Sequence, residues 1–193
     1  MKNVMRQNVV NFLLKFHRKN NSLAYKVFSL IAGAVFFLAI LPGMFIFPGL
    51  FLKEYLPINV GDIIEYTVAV IGIVTGLFYL IWSTLTQWRI GNGTPAPNAP
   101  TERLIIVGPY KYCRNPIEFG AMLYYLGVGV LAGGIIVGIT CCILGFIVGS
   151  AYHKFIEEKE LEARFGEEYR KYKQITPFVF PFLKVNNDSP DKL

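Results

Sequence analysis

The sequence predicts an all-α integral membrane protein with four or five transmembrane helices, and three observations predict it. Of its 193 residues 53% are apolar and 17% are charged, more apolar surface than a soluble domain of this length can bury. The apolar residues are segregated, since residues 27–52, 66–88 and 119–152 contain no Asp, Glu, Lys or Arg. Each run meets the requirement of a bilayer-spanning helix, about 20 apolar residues.

The first run contains Pro42 and Pro48, with Gly43 and Gly49 beside them. Proline removes a helix hydrogen bond and clashes with the preceding turn. The expectation is therefore one span from Leu23 to Leu41, then a broken interfacial piece to Pro57. A second count lets 43–57 cross as a short span, giving five spans and an external N-terminus. The next span runs from Asp62 to Trp88. The mildly acidic set Lys53, Glu54, Asp62 and Glu65 separates these spans. Basic residues flank the other side: Lys2, Arg6, Lys15, Arg18, Lys19 and Lys26 before the first span, and Arg89, Arg103, Lys111 and Arg114 after the second. The positive-inside rule places those basic segments in the cytoplasm. The net charge of +6 then reports membrane orientation rather than nucleic-acid binding. The first apolar run is too long for a cleavable signal and lacks a small-residue cleavage site.

The third run, 119–152, would measure about 51 Å as one straight helix, against a hydrocarbon core of about 30 Å. Gly133 and Gly134 near its middle offer a turn. The expected solution is an apolar helical hairpin, which returns the chain to the side it left and juxtaposes the polar segments on either side of it. After the hairpin an amphipathic helix is expected over 153–174, with Leu161, Phe165, Tyr169 and Tyr172 on one face. The aromatic-proline strip 177–182 suits a membrane interface, and 185–193 reads as a polar tail. The chain divides as one membrane-embedded domain over 1–193: N-terminal spans (1–88), a loop (89–118), the hairpin (119–152), and the C-terminal helix and tail (153–193).

Glycine pairs at helical spacing (Gly72 and Gly76, Gly129 and Gly133, Gly134 and Gly138, Gly145 and Gly149) predict close helix packing in lipid. Gly127 and Gly129 lack the soluble strand and helix opening of a dinucleotide fingerprint, so no Rossmann fold is expected. Cys113, Cys141 and Cys142 form no CxxC pair, and with only His17 and His153 no metal site is expected.

Two polar segments are left to carry chemistry. In 91–120, "GNGTPAPNAPTERLIIVGPYKYCRNPIEFG", glycine and proline exclude a regular element. Such backbone beside a membrane must satisfy its polar groups internally or spend them on a ligand. The second is "HKFIEEKELEARFGEEYRKYKQITPF", 153–178. Together they supply Leu104, then Gly108-Pro109-Tyr110, Arg114-Asn115-Pro116, an apolar hairpin, Glu157-Glu158, and Phe165-Gly166-Glu167-Glu168-Tyr169 with Tyr172.

In this order and spacing the motifs resemble the C-terminal half of the isoprenylcysteine carboxyl methyltransferase family and its phospholipid methyltransferase relatives. The resemblance covers 91–181, and Gly93 to Pro97 is similar to a prokaryotic subgroup using the Arg-Asn-Pro form. It implies an S-adenosylmethionine-dependent methyltransferase that binds its cofactor, and S-adenosylhomocysteine as product, in the cytoplasm-facing segments without a Rossmann fold. Carried over position by position, the implied cofactor contacts are Leu104, Ile105, Tyr110, Asn115, Pro116, Glu118 and Glu157. Arg114 and Glu158 are the implied catalytic pair, and His153 the substrate-side residue. Glu118 departs from the family, which has tyrosine there, and the change bears on that contact and on substrate choice.

The residue types agree with this chemistry. A sulfonium donor carrying an ammonium group favours carboxylate and aromatic neighbours, here Glu157 and Tyr110. Arg114 suits a carboxylate or phosphate on the acceptor. Blander roles exist for the same residues: Glu157 and Glu158 as surface partners of Lys154 or Arg164, Arg114 as a headgroup anchor, Tyr110 as a belt tyrosine, Glu118 as a favourable charge at a helix N-terminus, and Cys113 as packing. The expected acceptor is a lipid-like molecule dissolved among membrane lipids. The rival enzyme reading is an NADPH-dependent sterol-type reductase, and the rival non-catalytic reading a membrane binding protein.

Overall fold

The computed structural model describes residues 22–96 and 98–181. Lys2, Arg6, Lys15, Arg18, Lys19, His17, Pro97, Phe182 and the 185–193 tail lie outside the described residues. Among those described, all regular structure is helical and no strand occurs. Helix α1 (Leu23–Val35) passes through a π-helical segment, Phe36–Ile40, into α2 (Leu41–Tyr55). Helix α3 (Asp62–Gly91) is followed by a loop holding one 3-10 turn, Gly108–Lys111. Helices α4 (Pro116–Gly133) and α5 (Ile135–Tyr152) form the hairpin, and a second π-helical segment, His153–Glu157, leads into α6 (Glu158–Ile175).

Four stretches are long and apolar enough to cross a membrane: Leu23–Tyr55, Asp62–Gly91, Pro116–Gly133 and Ile135–Ile175. Their outward side chains are bulky and apolar, with Phe28, Phe47, Ile63 and Phe78 all exposed. Such a surface is stable only against hydrocarbon. The chain is a multi-pass membrane protein.

By internal packing the chain divides into two compact units. One joins 34–81 to 117–149, and the other joins the described parts of 1–33, 82–116 and 150–193.

In the first unit, helices approach through glycine. A Cβ on Gly76 would lie 2.5 Å from the Tyr124 amide nitrogen, and one on Gly138 2.6 Å from the Leu126 carbonyl. These contacts bear out the small-residue reading. The expected break at Pro42 and Pro48 does not occur, and Leu23–Tyr55 is one continuous helix. The π-helical segment supplies the reason at Pro42. Its register lets Leu41 N–H donate to the Phe36 carbonyl. The Leu38 carbonyl, four residues before the proline, instead accepts a hydrogen bond from the Tyr124 hydroxyl at 3.0 Å. A partner from a neighbouring helix thus satisfies the group that proline leaves open.

The hairpin turns where the glycine pair predicts. Gly134 has φ 89°, a left-handed conformation that costs other residues roughly 1–2 kcal/mol. Glu65 fixes the turn by accepting the Ile135 N–H at 3.0 Å, a carboxylate at a helix N-terminus. The C-terminal helix follows α5 directly, as expected, in one continuous stretch, Ile135–Ile175. It kinks at Gly166, whose φ is 53°.

A Cβ on Gly134 would meet the Glu65 carboxylate at 2.9 Å in addition to the strained φ, whereas one on Gly43 meets nothing within 4 Å. Gly134→Ala should therefore destabilise the protein by at least about 1 kcal/mol, and Gly43→Ala should be neutral or mildly stabilising. Thermal unfolding in detergent distinguishes the two.

Candidate functional site

The second unit brings together the two polar segments that the sequence separates by the hairpin. Arg114 N–H donates to the Pro177 carbonyl (2.9 Å) and Asn115 N–H to the Phe178 carbonyl (3.1 Å). The Asn115 side-chain amide donates to that same Phe178 carbonyl at 3.0 Å. The strip expected at the membrane interface thus also supplies the backbone acceptors on which the Arg-Asn-Pro loop hangs. A residue preceding proline disfavours helix, so α4 begins only at the buried Pro116.

The rest of the loop folds back on the end of α3. Thr94 N–H donates to the Ala99 carbonyl at 2.7 Å, and Glu102 N–H to the Gly91 carbonyl at 2.7 Å. A Cβ on Gly93 would lie 2.5 Å from Thr101 backbone, so the fold-back requires glycine there. From α6, Arg164 donates to the Thr101 carbonyl and pairs with Glu160 at 3.3 Å.

Between loop and helix lies a narrow cleft of about 50 Å³. Leu104, Ile105, Tyr110, Arg114, Asn115 and Glu157 line it, together with Gln87, Thr101, Leu161, Tyr169 and Tyr172. Tyr110 is held at both ends: the Gln87 amide donates to its hydroxyl at 2.7 Å, and the Tyr172 hydroxyl donates to its carbonyl at 2.6 Å. Burial, and secondarily the negative charge of Glu157, pushes the Tyr110 phenol well above its ordinary value. It remains a neutral donor and acceptor across physiological pH.

The charges are arranged in pairs. Arg114 meets Glu158 at 2.7 Å, and Glu158 also accepts from Lys173 at 2.6 Å. Arg114 lies 5.6 Å from the Phe178 ring centre, and Lys154 approaches the same ring at 5.1 Å. Glu157 pairs with His153, one helical turn earlier. The glutamates are therefore not partners of Lys154 or Arg164. Two polar atoms that line this cleft are buried without a hydrogen-bond partner among the described residues, Gln87 Oε1 and Arg114 Nε. A buried unpaired acceptor and donor are costly, and each offers a contact to a ligand.

Of the residues singled out in the sequence, Leu104, Ile105, Tyr110, Arg114, Asn115 and Glu157 meet in the cleft, with Glu158 and His153 paired to lining residues. Pro116 starts the adjoining helix. Glu118 does not line the cleft; it belongs to the other unit, where it packs against Gly149. Gln87 is a cleft-lining residue that sequence reasoning does not single out. Its signal was a lone amide in the last turns of an apolar span, where polar side chains are functional by default.

The matching family model is phospholipid methyltransferase, over residues 64–168. That range is more than half of the chain and contains the first polar segment and the second as far as residue 168. The chain belongs to the phospholipid methyltransferase family. Among curated relatives, methanethiol S-methyltransferase 1 of Bradyrhizobium diazoefficiens is 29% identical over 100 residues, covering 52% of this chain and 32% of its own. Protein-S-isoprenylcysteine O-methyltransferase of Mus musculus is 31% identical over 86 residues, covering 44% of this chain and 29% of its own. The Rattus norvegicus protein of the same name matches to the same extent. The chain thus aligns with about a third of the length of these relatives. No solved structure matches it.

Within this phospholipid methyltransferase relative, the pairing pattern orders the cost of substitutions. Glu158→Ala leaves Arg114, with a side chain 10% exposed, lacking its carboxylate, which costs about 3–5 kcal/mol when a buried pair is broken. Arg114→Met costs less, because Lys173 still neutralises Glu158. Unfolding midpoints of the two variants in detergent check that order.

Proposed function

We propose that this protein is a membrane methyltransferase that uses S-adenosylmethionine from the cytoplasm and methylates a lipophilic acceptor drawn from the bilayer. The observation that carries the reading is the cleft. Two segments separated by an apolar hairpin converge there, and they contain the motifs that characterise the family. The residues present fit the cofactor. Gln87 Oε1 is an unused buried acceptor, Arg114 Nε an unused buried donor, and Glu157 a carboxylate on the same wall.

When bound, the cofactor supplies a methyl group on a positively charged sulfur. In this reading Glu157, oriented by His153, accepts hydrogen bonds from the methionyl ammonium. Leu104 and Ile105 form an apolar wall, and Tyr110, locked by Gln87 and Tyr172, a polar one. Asn115 and Pro116 hold the loop in place through Phe178. Arg114, kept in register by Glu158, is aimed at an anionic group on the acceptor, with His153 on the substrate side. Glu118 bears on which acceptor is taken. The protein's contribution to an in-line displacement is alignment, and a carboxylate acceptor requires no general base. The cytoplasmic orientation rests on Arg89, Arg103, Lys111 and Arg114 flanking α3 on this side, against Asp62 and Glu65 at its start.

Calorimetric titration of purified protein with S-adenosylhomocysteine tests this. Wild type should bind, and Glu157→Ala should bind at least roughly tenfold more weakly, as loss of a charged hydrogen bond implies. Absence of binding to folded wild type would refute the cofactor assignment. Incubation with labelled methyl donor and total membrane lipids should then yield a labelled lipid-soluble product.

A further inference from the structure

A second cavity among the described residues lies apart from the cleft residues. It measures about 320 Å³ and is lined by Leu23, Lys26, Trp88 and Asn92, within the size range of ligand pockets, roughly 300–1,000 Å³. Lys26 decides its character. The residue is 9% exposed, although it sits on an apolar helix. Its ammonium donates to the Asn92 carbonyl at 2.7 Å and to Asn92 Oδ1 at 3.1 Å.

These two bonds use two of three donors and bring no negative charge. Among the described residues Lys26 has no carboxylate partner. A buried ammonium with only neutral partners is unfavourable unless an anion completes it. Asn92 holds the corner where α3 gives way to the loop, with φ 51°. The neighbouring bond from the Asn98 amide to the Ser29 hydroxyl, 2.9 Å, ties α1 to the same loop and fixes Lys26 in place. The other described lining residues, Leu23 and Trp88, form the amphipathic pairing found where a headgroup meets acyl chains.

We propose that this cavity is a binding site for the phosphate of an anionic amphiphile, with the Lys26 ammonium as counter-charge and the apolar wall of Leu23 and Trp88 against the ligand's hydrocarbon. A lipid headgroup and free phosphate present the same anion. The apolar wall, and a position on helices that span the bilayer, favour the lipid. The site is independent of the methyltransferase reading and involves none of its cleft residues.

Trp88 reports on the site directly, because the chain contains only two tryptophans. In a Trp82→Phe background its fluorescence is followed in nanodiscs of phosphatidylcholine with increasing phosphatidylglycerol, and separately in detergent with inorganic phosphate. The expected result is a saturable change with phosphatidylglycerol. Lys26→Gln, which keeps amide donors for Asn92 but removes the charge, should raise half-saturation at least about tenfold while circular dichroism stays unchanged. Saturation by phosphate alone would assign the site to the free anion. No saturable change with either probe, or an unaltered response in folded Lys26→Gln, overturns the proposal. Should Lys26→Gln fail to fold, added sodium chloride must raise the wild-type half-saturation, and a salt-independent response overturns the proposal equally.

Discussion

The structure depends on one constraint: backbone entering hydrocarbon must satisfy its own hydrogen bonds, so the chain between Pro116 and Tyr152 can only go out and come back as helix. The return is set by a single glycine in left-handed conformation and by one carboxylate, Glu65, on the first amide of the returning arm. Because the arms return, Arg114 reaches Glu158 and the Tyr172 hydroxyl reaches the Tyr110 carbonyl. Neither contact is local in sequence. Both are consequences of the turn.

The polar unit is then assembled by backbone recognition more than by charge. The Arg-Asn-Pro loop is held through main-chain carbonyls of Pro177 and Phe178, which leaves the arginine side chain and the lining glutamate available for chemistry. Charge pairing tunes this arrangement. Glu158 is shared between Arg114 and Lys173, so the guanidinium sits against Phe178 with its Nε still unused. Such a group is oriented yet not exhausted, as recognition of an anionic partner requires.

Much of this was legible in the sequence. Charge-free runs gave the spans, the Gly133-Gly134 pair gave the turn, and ordered motifs gave six residues of the cleft. What was not legible has physical causes. Pro42 reads as a helix breaker because the missing N–H that leaves the Leu38 carbonyl open is visible in sequence, whereas the Tyr124 hydroxyl that satisfies this carbonyl comes from a helix distant along the chain. Sequence assigns Lys26 to the basic flank of the first span and singles out nothing at Gln87, since their partners, Asn92 and Tyr110, are brought to them only by the fold-back of the loop. At Glu118 the resemblance implies a cofactor contact, at the position where the family has tyrosine. One residue past Pro116 the helix has already entered the other unit, and Glu118 faces Gly149 there.

The central claim, that the hairpin returns the chain so that both polar segments share one compartment, is tested most directly by sidedness. Arg103 and Lys171 are both exposed, one on each segment. Single cysteines placed at these positions should react with a membrane-impermeant maleimide from the same face of sealed vesicles. Labelling of the two from opposite faces would contradict the account, because no common cleft can then form.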